Sequence, residues 1–200
     1  MDYRISIHEN SGNDLSDYQI KVEITDPDFF SECTDQKYVE FYDEDKTTLL
    51  DHYTEEFDPA NNKAVFWVKV PTIPASSTKV IYLSINTSRT EDLSDPNAVF
   101  DFWDDFETDT WTHNGDANAI VIGGGIADLK NTDAAGEAEK AIPAGVDITQ
   151  SIIEWKWKTV SEANTSNQRI GVIEGSWSGW NSETAFFVQQ DQTYGWKLGK

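Results

Sequence analysis

"YRISIHENSGNDLSDYQIKVEI", residues 3–24, decides the fold. In its first third Tyr3, Ile5 and Ile7 alternate with Arg4, Ser6 and His8, and in its last third Tyr18, Ile20, Val22 and Ile24 alternate with Gln19, Lys21 and Glu23. A period of two puts one side chain in and the next out, which is the pattern of a strand with one buried face. Between the two runs, "NSGNDLSD" gathers the residues that tolerate tight or left-handed backbone. Two strands joined by a turn follow from these letters alone.

The same reading carries on to residue 86. "YVEFY" (38–42), "TTLLDHY" (47–53), "KAVFWVKV" (63–70) and "TKVIYLSI" (78–85) read as strands, parted by "DEDK", "DPANN" and "PTIPASS". Short strands at this spacing, with no sustained helical period, predict an antiparallel sandwich. Residues 87–99, "TSRTEDLSDPNAV", have the composition of a connector. Beyond it "ANAIVIGGGIADLKN", "AGEAEKAI", "QSIIEWKWKTV", "QRIGVIEG" and "ETAFFVQQDQTYGWKLGK" are again strand-like, with more Gly and Trp. A domain boundary is expected near residue 99, giving modules 1–99 and 100–200.

The chain has 200 residues, enough for two small domains. Its aromatic fraction of 12% is high, so buried area leans on rings that each remove ~150–250 Å² from water. Acidic residues number 36 against 15 basic ones, a net charge of -21, which repels phosphates and excludes nucleic acid and anionic lipid as partners. Cys33 is the single cysteine, so no intrachain disulfide and no thiolate metal site can form. It reads as a small half-buried side chain. No apolar run approaches the ~20 residues of a membrane-spanning helix. Met1 leads straight into a strand, so the expectation is a signal removed with a boundary or another route out, such as a virus particle.

Two resemblances follow from particular stretches. Residues 3 to about 100, with "FYDEDKTTLLDHYTEEF", "WVKVPTIPASSTK" and "NAVFDFWDDFE", resemble the domain-of-unknown-function family 2341, found in archaeal and bacterial surface and envelope proteins. Residues 102–200 resemble the first part of a concanavalin A-like lectin/glucanase sandwich. The fold these imply is all-β, two antiparallel, jelly-roll-like β-sandwich modules, the second incomplete, since such a sandwich needs ~200 residues. The function they imply is non-catalytic binding or adhesion at an extracellular, cell or virion surface. Alternatives are a structural subunit of a filament, coat or viral fibre that contacts its own copies, and a glycoside hydrolase whose catalytic residues lie beyond this chain. The glucanases carry a compact Glu-x-Asp-x-Glu motif on one strand, which is absent from these residues.

Several groups could hold a ligand. In "FDFWDDFE" (100–107), the strand reading puts Phe100 and Phe102 on one face and Asp101 and Trp103 on the other, a seam between modules. Asp101, Asp104 and Asp105, with Glu107 and Asp109, could also offer oxygens to Ca²⁺. "SWSGWN" (176–181) sets Trp177 and Trp180 in a Gly/Ser loop, where indoles either cover a hydrophobic edge or stack on sugar rings. Asn181, Gln189, Gln190 and Asp191 would then take the hydroxyl groups. Trp155 and Trp157 share one strand face and read as core. "DEDK" (43–46) reads as a turn in which Lys46 stands where the family pattern usually has Gly, suggesting a longer or different turn. His8, His52 and His113 have no metal-ligand spacing, and "IGGGI" (122–126) reads as a tight strand or turn. Asn86 and Asn164 begin "NTS" triplets, glycosylation acceptors if the chain is exported.

Overall fold

A computed structural model describes residues 2–129, 136–144, 146, 154, 168–173, 185–191 and 195–199. The chain divides into two compact units, 1–103 and 104–200.

Unit 1 is built from two antiparallel sheets. One contains β1 (Asp2–His8), β7 (Thr78–Ile85), β3 (Val39–Tyr42) and β4 (Leu49–Leu50) in that order; the other contains β2 (Leu15–Ile24), β6 (Lys63–Ile73) and β5 (His52–Asp58). The alternation in residues 3–24 translates directly into burial: Tyr3, Ile5 and Ile7 turn inward, while Arg4, Ser6 and His8 are exposed. Val39 and Phe41 of β3 and Ile81 and Leu83 of β7 face Ala64, Phe66, Val68 and Val70 of β6 across one core. The arrangement is sandwich-like. Phe41 and Phe66 meet edge to face at 5.5 Å, which ties one sheet to the other.

Every Asp-Pro in the sequence starts a helical turn. Asp26, Asp58 and Asp95 each accept a hydrogen bond from a backbone N–H two or three residues on, while the proline takes the first helical position, where no N–H is needed. The first of these turns, α1 (Pro27–Glu32), drops Phe29 and Phe30 into the core, with Tyr3 edge-on to Phe29 at 5.6 Å. Cys33 follows and is fully buried rather than half-buried, its thiol pushed up to about 11 by burial.

The turn at 43–46 belongs to a loop closed by Asp43 N–H donating to Thr48 O at 2.9 Å. Lys46 itself occupies the left-handed position, at φ 58°, with its N–H donating to Asp43 O at 2.9 Å. Two contacts offset the steric cost of a side chain there. The ammonium lies 4.2 Å from the Tyr82 ring centre and 3.3 Å from the Asp2 carboxylate.

In unit 2, β8 (Thr112–Gly115) pairs with β11 (Gly136–Glu139), β9 (Ile120–Gly123) with β10 (Ile126–Leu129), and β12 (Gln168–Ile173), β13 (Ala185–Asp191) and β14 (Gly195–Gly199) form a third sheet. "IGGGI" is the β9–β10 hairpin tip. Gly124 and Gly125 sit at φ 60° and 78°, the two left-handed positions that a two-residue hairpin loop demands.

Phe66 touches Phe41, Phe57 and the His52 ring and has no exposed surface. Phe66→Ala is expected to lower stability by ~3–5 kcal/mol, read as a shift in the urea unfolding midpoint of unit 1.

Candidate functional site

The stretch 100–107 is not a strand. After α2 (Pro96–Val99) the chain lies along the outer side of the β2–β6–β5 sheet, where Gln19 Nε2 donates to Val99 O at 3.0 Å and Lys69 Nζ to Ala98 O at 3.5 Å. Phe100 and Trp103 therefore end up on the same side rather than on opposite faces. Their rings stack at 5.5 Å and 16° and together cover Tyr53 and Trp67 of unit 1. Trp67 completes its polar bonding through Nε1 to Glu55 at 2.8 Å.

The acidic half of the stretch belongs to unit 2 and is a hydrogen-bonded loop. Asp104 accepts from Phe106 N–H at 2.8 Å, from Trp111 Nε1 at 3.0 Å and from the Lys140 ammonium. Burial alone would raise its carboxyl, but these donors hold it below its ordinary value. Asp105 accepts from Glu107 N–H, and Asp109 from Trp111 N–H and the His113 ring. The glycine hairpin closes over this loop, with Gly124 and Gly125 N–H donating to the carbonyls of Glu107 and Phe106. Gly125 holds φ 78°, which favours glycine, and a Cβ there would come 3.1 Å from Glu107 Oε1, the end of an exposed side chain that would have to shift slightly. Asp101 is exposed. Among the described residues no group of three or more His, Cys, Asp or Glu side chains is arranged to hold a metal ion.

Two further carboxylates organise unit 1. Glu9, almost fully buried, accepts from Ser11 and Gly12 N–H on its own loop and from Ser76 N–H across the end of the sandwich. The Ser11 hydroxyl and the Ser76 amide lead the set of donors that hold its carboxyl at about 2. Glu40 lies on the outer side of β3 yet is buried, because the connector folds over it. It accepts from Tyr42 at 2.7 Å, Asn86 Nδ2 at 3.0 Å and Arg89 Nε at 2.8 Å. Asn86 is thus a half-buried anchor of the connector, its side-chain nitrogen directed at Glu40. Burial would raise the Glu40 carboxyl, and these three donors together bring it below its usual range.

His52 and Thr54 sit on the buried face of β5, and among the described residues His52 Nε2 and Thr54 Oγ1 have no hydrogen-bond partner. Burial pushes His52 down to about 4, against the pull of Asp92, Asp51 and Glu40. The ring is consequently neutral at pH 7.

The third element is a groove. β1 and β2 border it, Tyr3–Ile7 on one lip and Ile20–Asp26 on the other, with a volume of about 720 Å³. A smaller hollow continues it past Ile7, Leu15 and Tyr18 toward Glu9. Tyr18, expected inward with Ile20, is 42% exposed at this end. Asp17 beside it adopts φ 49°, a break in the strand opposite Pro71, which has no N–H to offer the ladder.

Of the sugar-binding candidates, Gln189, Gln190 and Asp191 lie on β13. Trp177, Trp180 and Asn181 lie outside the described residues, as do Asn164, Trp155 and Trp157. Sequence reasoning missed Glu9 and Glu40. Glu9 stands next to a turn cluster, the one signal that could have marked it; Glu40 is an ordinary outward residue of its strand until the connector covers it.

Residues 35–114 match the model of a family described as a domain of unknown function, DUF2341. The match takes in β3 to β7, the connector, "FDFWDDFE" and most of β8, and crosses from unit 1 into unit 2. It leaves out α1 and the strands β1 and β2, which complete the two sheets of unit 1. No curated protein and no solved structure matches the chain.

Two measurements check the buried polar groups. The folded state, with His52 at about 4, excludes a proton that the unfolded chain takes up below ~6.5, so stability falls as pH drops through that window, by roughly 3 kcal/mol. Urea midpoints at several pH values should show this loss in the wild type and a shallower one in His52→Met. Glu40→Ala removes the acceptor that Asn86 and the partly exposed Arg89 share where they hold the connector to β3, and is expected to cost ~1–3 kcal/mol, read the same way.

Proposed function

We propose that this chain is a non-catalytic extracellular surface protein that binds or adheres, with unit 1 as a rigid jelly-roll-like mount and unit 2 as the first part of a concanavalin A-like, glycan-binding sandwich. The observation that carries this reading is the use made of the carboxylates. Glu9, Glu40, Asp45 and Asp104 each accept several bonds from turns and loops. They hold chain in place, whereas hydrolysis of a glycosidic bond needs two carboxyl groups facing each other across a cleft, ~5–10 Å apart.

The glycan contacts fall to Trp177 and Trp180, which offer flat indole faces, with Asn181, Gln189 and Asp191 for the hydroxyl groups. Ca²⁺ would bind at Asp101, Asp104 and Asp105 only if Lys140 gave up its bond to Asp104. Glycan attached at Asn86 would have to share that nitrogen with Glu40; Asn164 is the other acceptor triplet. A second reading, a structural subunit that contacts its own copies, is favoured by the open groove between β1 and β2.

A glycan array probed with the full chain, with and without Ca²⁺, tests the first reading. Binding that disappears in a folded Trp177→Ala/Trp180→Ala variant is the expected result. Absence of binding in both conditions would remove glycan recognition from the proposal.

A further inference from the structure

Four strands form the margins of the two sheets of unit 1: β1 and β4 in one, β2 and β5 in the other. An unpaired margin is a template for another chain, and folds protect margins by shortening or covering them. β4 has only two residues. β5 is covered by the connector, where Ser94 bridges His52, Ser94 Oγ accepts from Thr54 N–H at 2.9 Å and Asp95 N–H donates to His52 O at 2.9 Å. β1 and β2 have neither protection. They run seven and ten residues, and among the described residues no strand pairs with their outer sides. Both open onto the same groove, whose apolar wall is the half-buried inner face of each strand.

We propose that a second copy of this chain closes the groove, β1 pairing antiparallel with its copy about Ile5 and β2 with its copy about Val22, on one two-fold axis. This deepens the self-association reading and rests on it. Self-pairing of this kind sets residue i opposite a fixed partner in the other copy, and the sequence supplies suitable partners. About Ile5, Arg4 meets Ser6 and Asp2 meets His8 of the second copy. About Val22, Lys21 meets Glu23 of the second copy, twice by symmetry, and Ile20 meets Ile24. No like charges face each other in either register.

That matters for a chain of net charge -21, whose copies repel over most of their surface. The groove lips carry two cations, Arg4 and Lys21, against two anions, Glu23 and Asp26, so contact there is locally neutral. The side chains of Lys21 and Glu23 are 42% and 65% exposed and 3.4 Å apart within one chain, with Lys21 also 3.9 Å from Glu55 and 5.7 Å from the Trp67 ring centre, so a second copy would meet a pair that already carries opposite charges side by side. The interface is isologous and closes as a dimer: the axis places each groove against the other, so the β1 and β2 edges of one copy meet the same edges of its partner.

Sedimentation equilibrium of the full chain at ~0.5 M NaCl, where long-range repulsion is screened, reads the result. The wild type is expected to be a dimer. Glu23→Lys puts lysine opposite Lys21, and Lys21→Glu puts glutamate opposite Glu23, so each variant alone should dimerise at least ~10-fold more weakly. Circular dichroism melts of both surface variants establish that they remain folded. Mixed in equal amounts, the two restore opposite charges at every cross pair and should form a heterodimer. A wild type that stays monomeric overturns both this interface and the self-association reading. A wild-type dimer that ignores both substitutions, or a mixture that fails to pair, overturns the interface and leaves self-association to another surface.

Discussion

The contact of Phe41 with Phe66 across the sandwich is the constraint on which unit 1 depends. Neither sheet can stand alone, since each has one apolar face, and burying those faces against each other is the dominant favourable term. The rings meet edge to face where β3 and β6 cross, with His52 and Phe57 packed round them and Phe29 entering the same core from α1. Once that layer is closed, the outer sides are fixed too. Glu40 is directed away from the core because Val39 and Phe41 point into it, and Trp67 because Phe66 and Val68 do.

Those outer sides explain the course of the connector. Residues 86–103 are held to unit 1 at successive points: Asn86 and Arg89 on Glu40, Ser94 and Asp95 on β5, Val99 on Gln19, and Phe100 with Trp103 on Tyr53 and Trp67. A segment with the composition of a linker is thereby an outer layer of the sandwich. The family match spans it whole and runs on into the loop that Asp104 and the glycine hairpin organise.

An acidic chain must place some carboxylates where water is scarce. Here those carboxylates serve as acceptors for backbone amides and the few available cations. Glu9 joins two loops at one end of the sandwich, and Asp104 gathers Trp111 and Lys140. Each gains charge-assisted bonds that offset its desolvation.

What the sequence determined by itself was local. Period two gave the strands of residues 3–86 and their inward faces, because in extended backbone each side chain's direction follows from its position. The clusters of Gly, Asn and Asp gave the turns, and the Asp-Pro pairs carried, in plain letters, the three helical turns that alternation alone passes over. Tertiary structure decided the rest. That Glu40 is buried, that Phe100 and Trp103 share a side, that Lys46 holds a left-handed position, and that β1 and β2 are margins beside one groove all depend on which strands become neighbours. Strand order is set by contacts between residues far apart in the chain, such as Ile5 with Ile81 or Val22 with Phe66, and no local period records them.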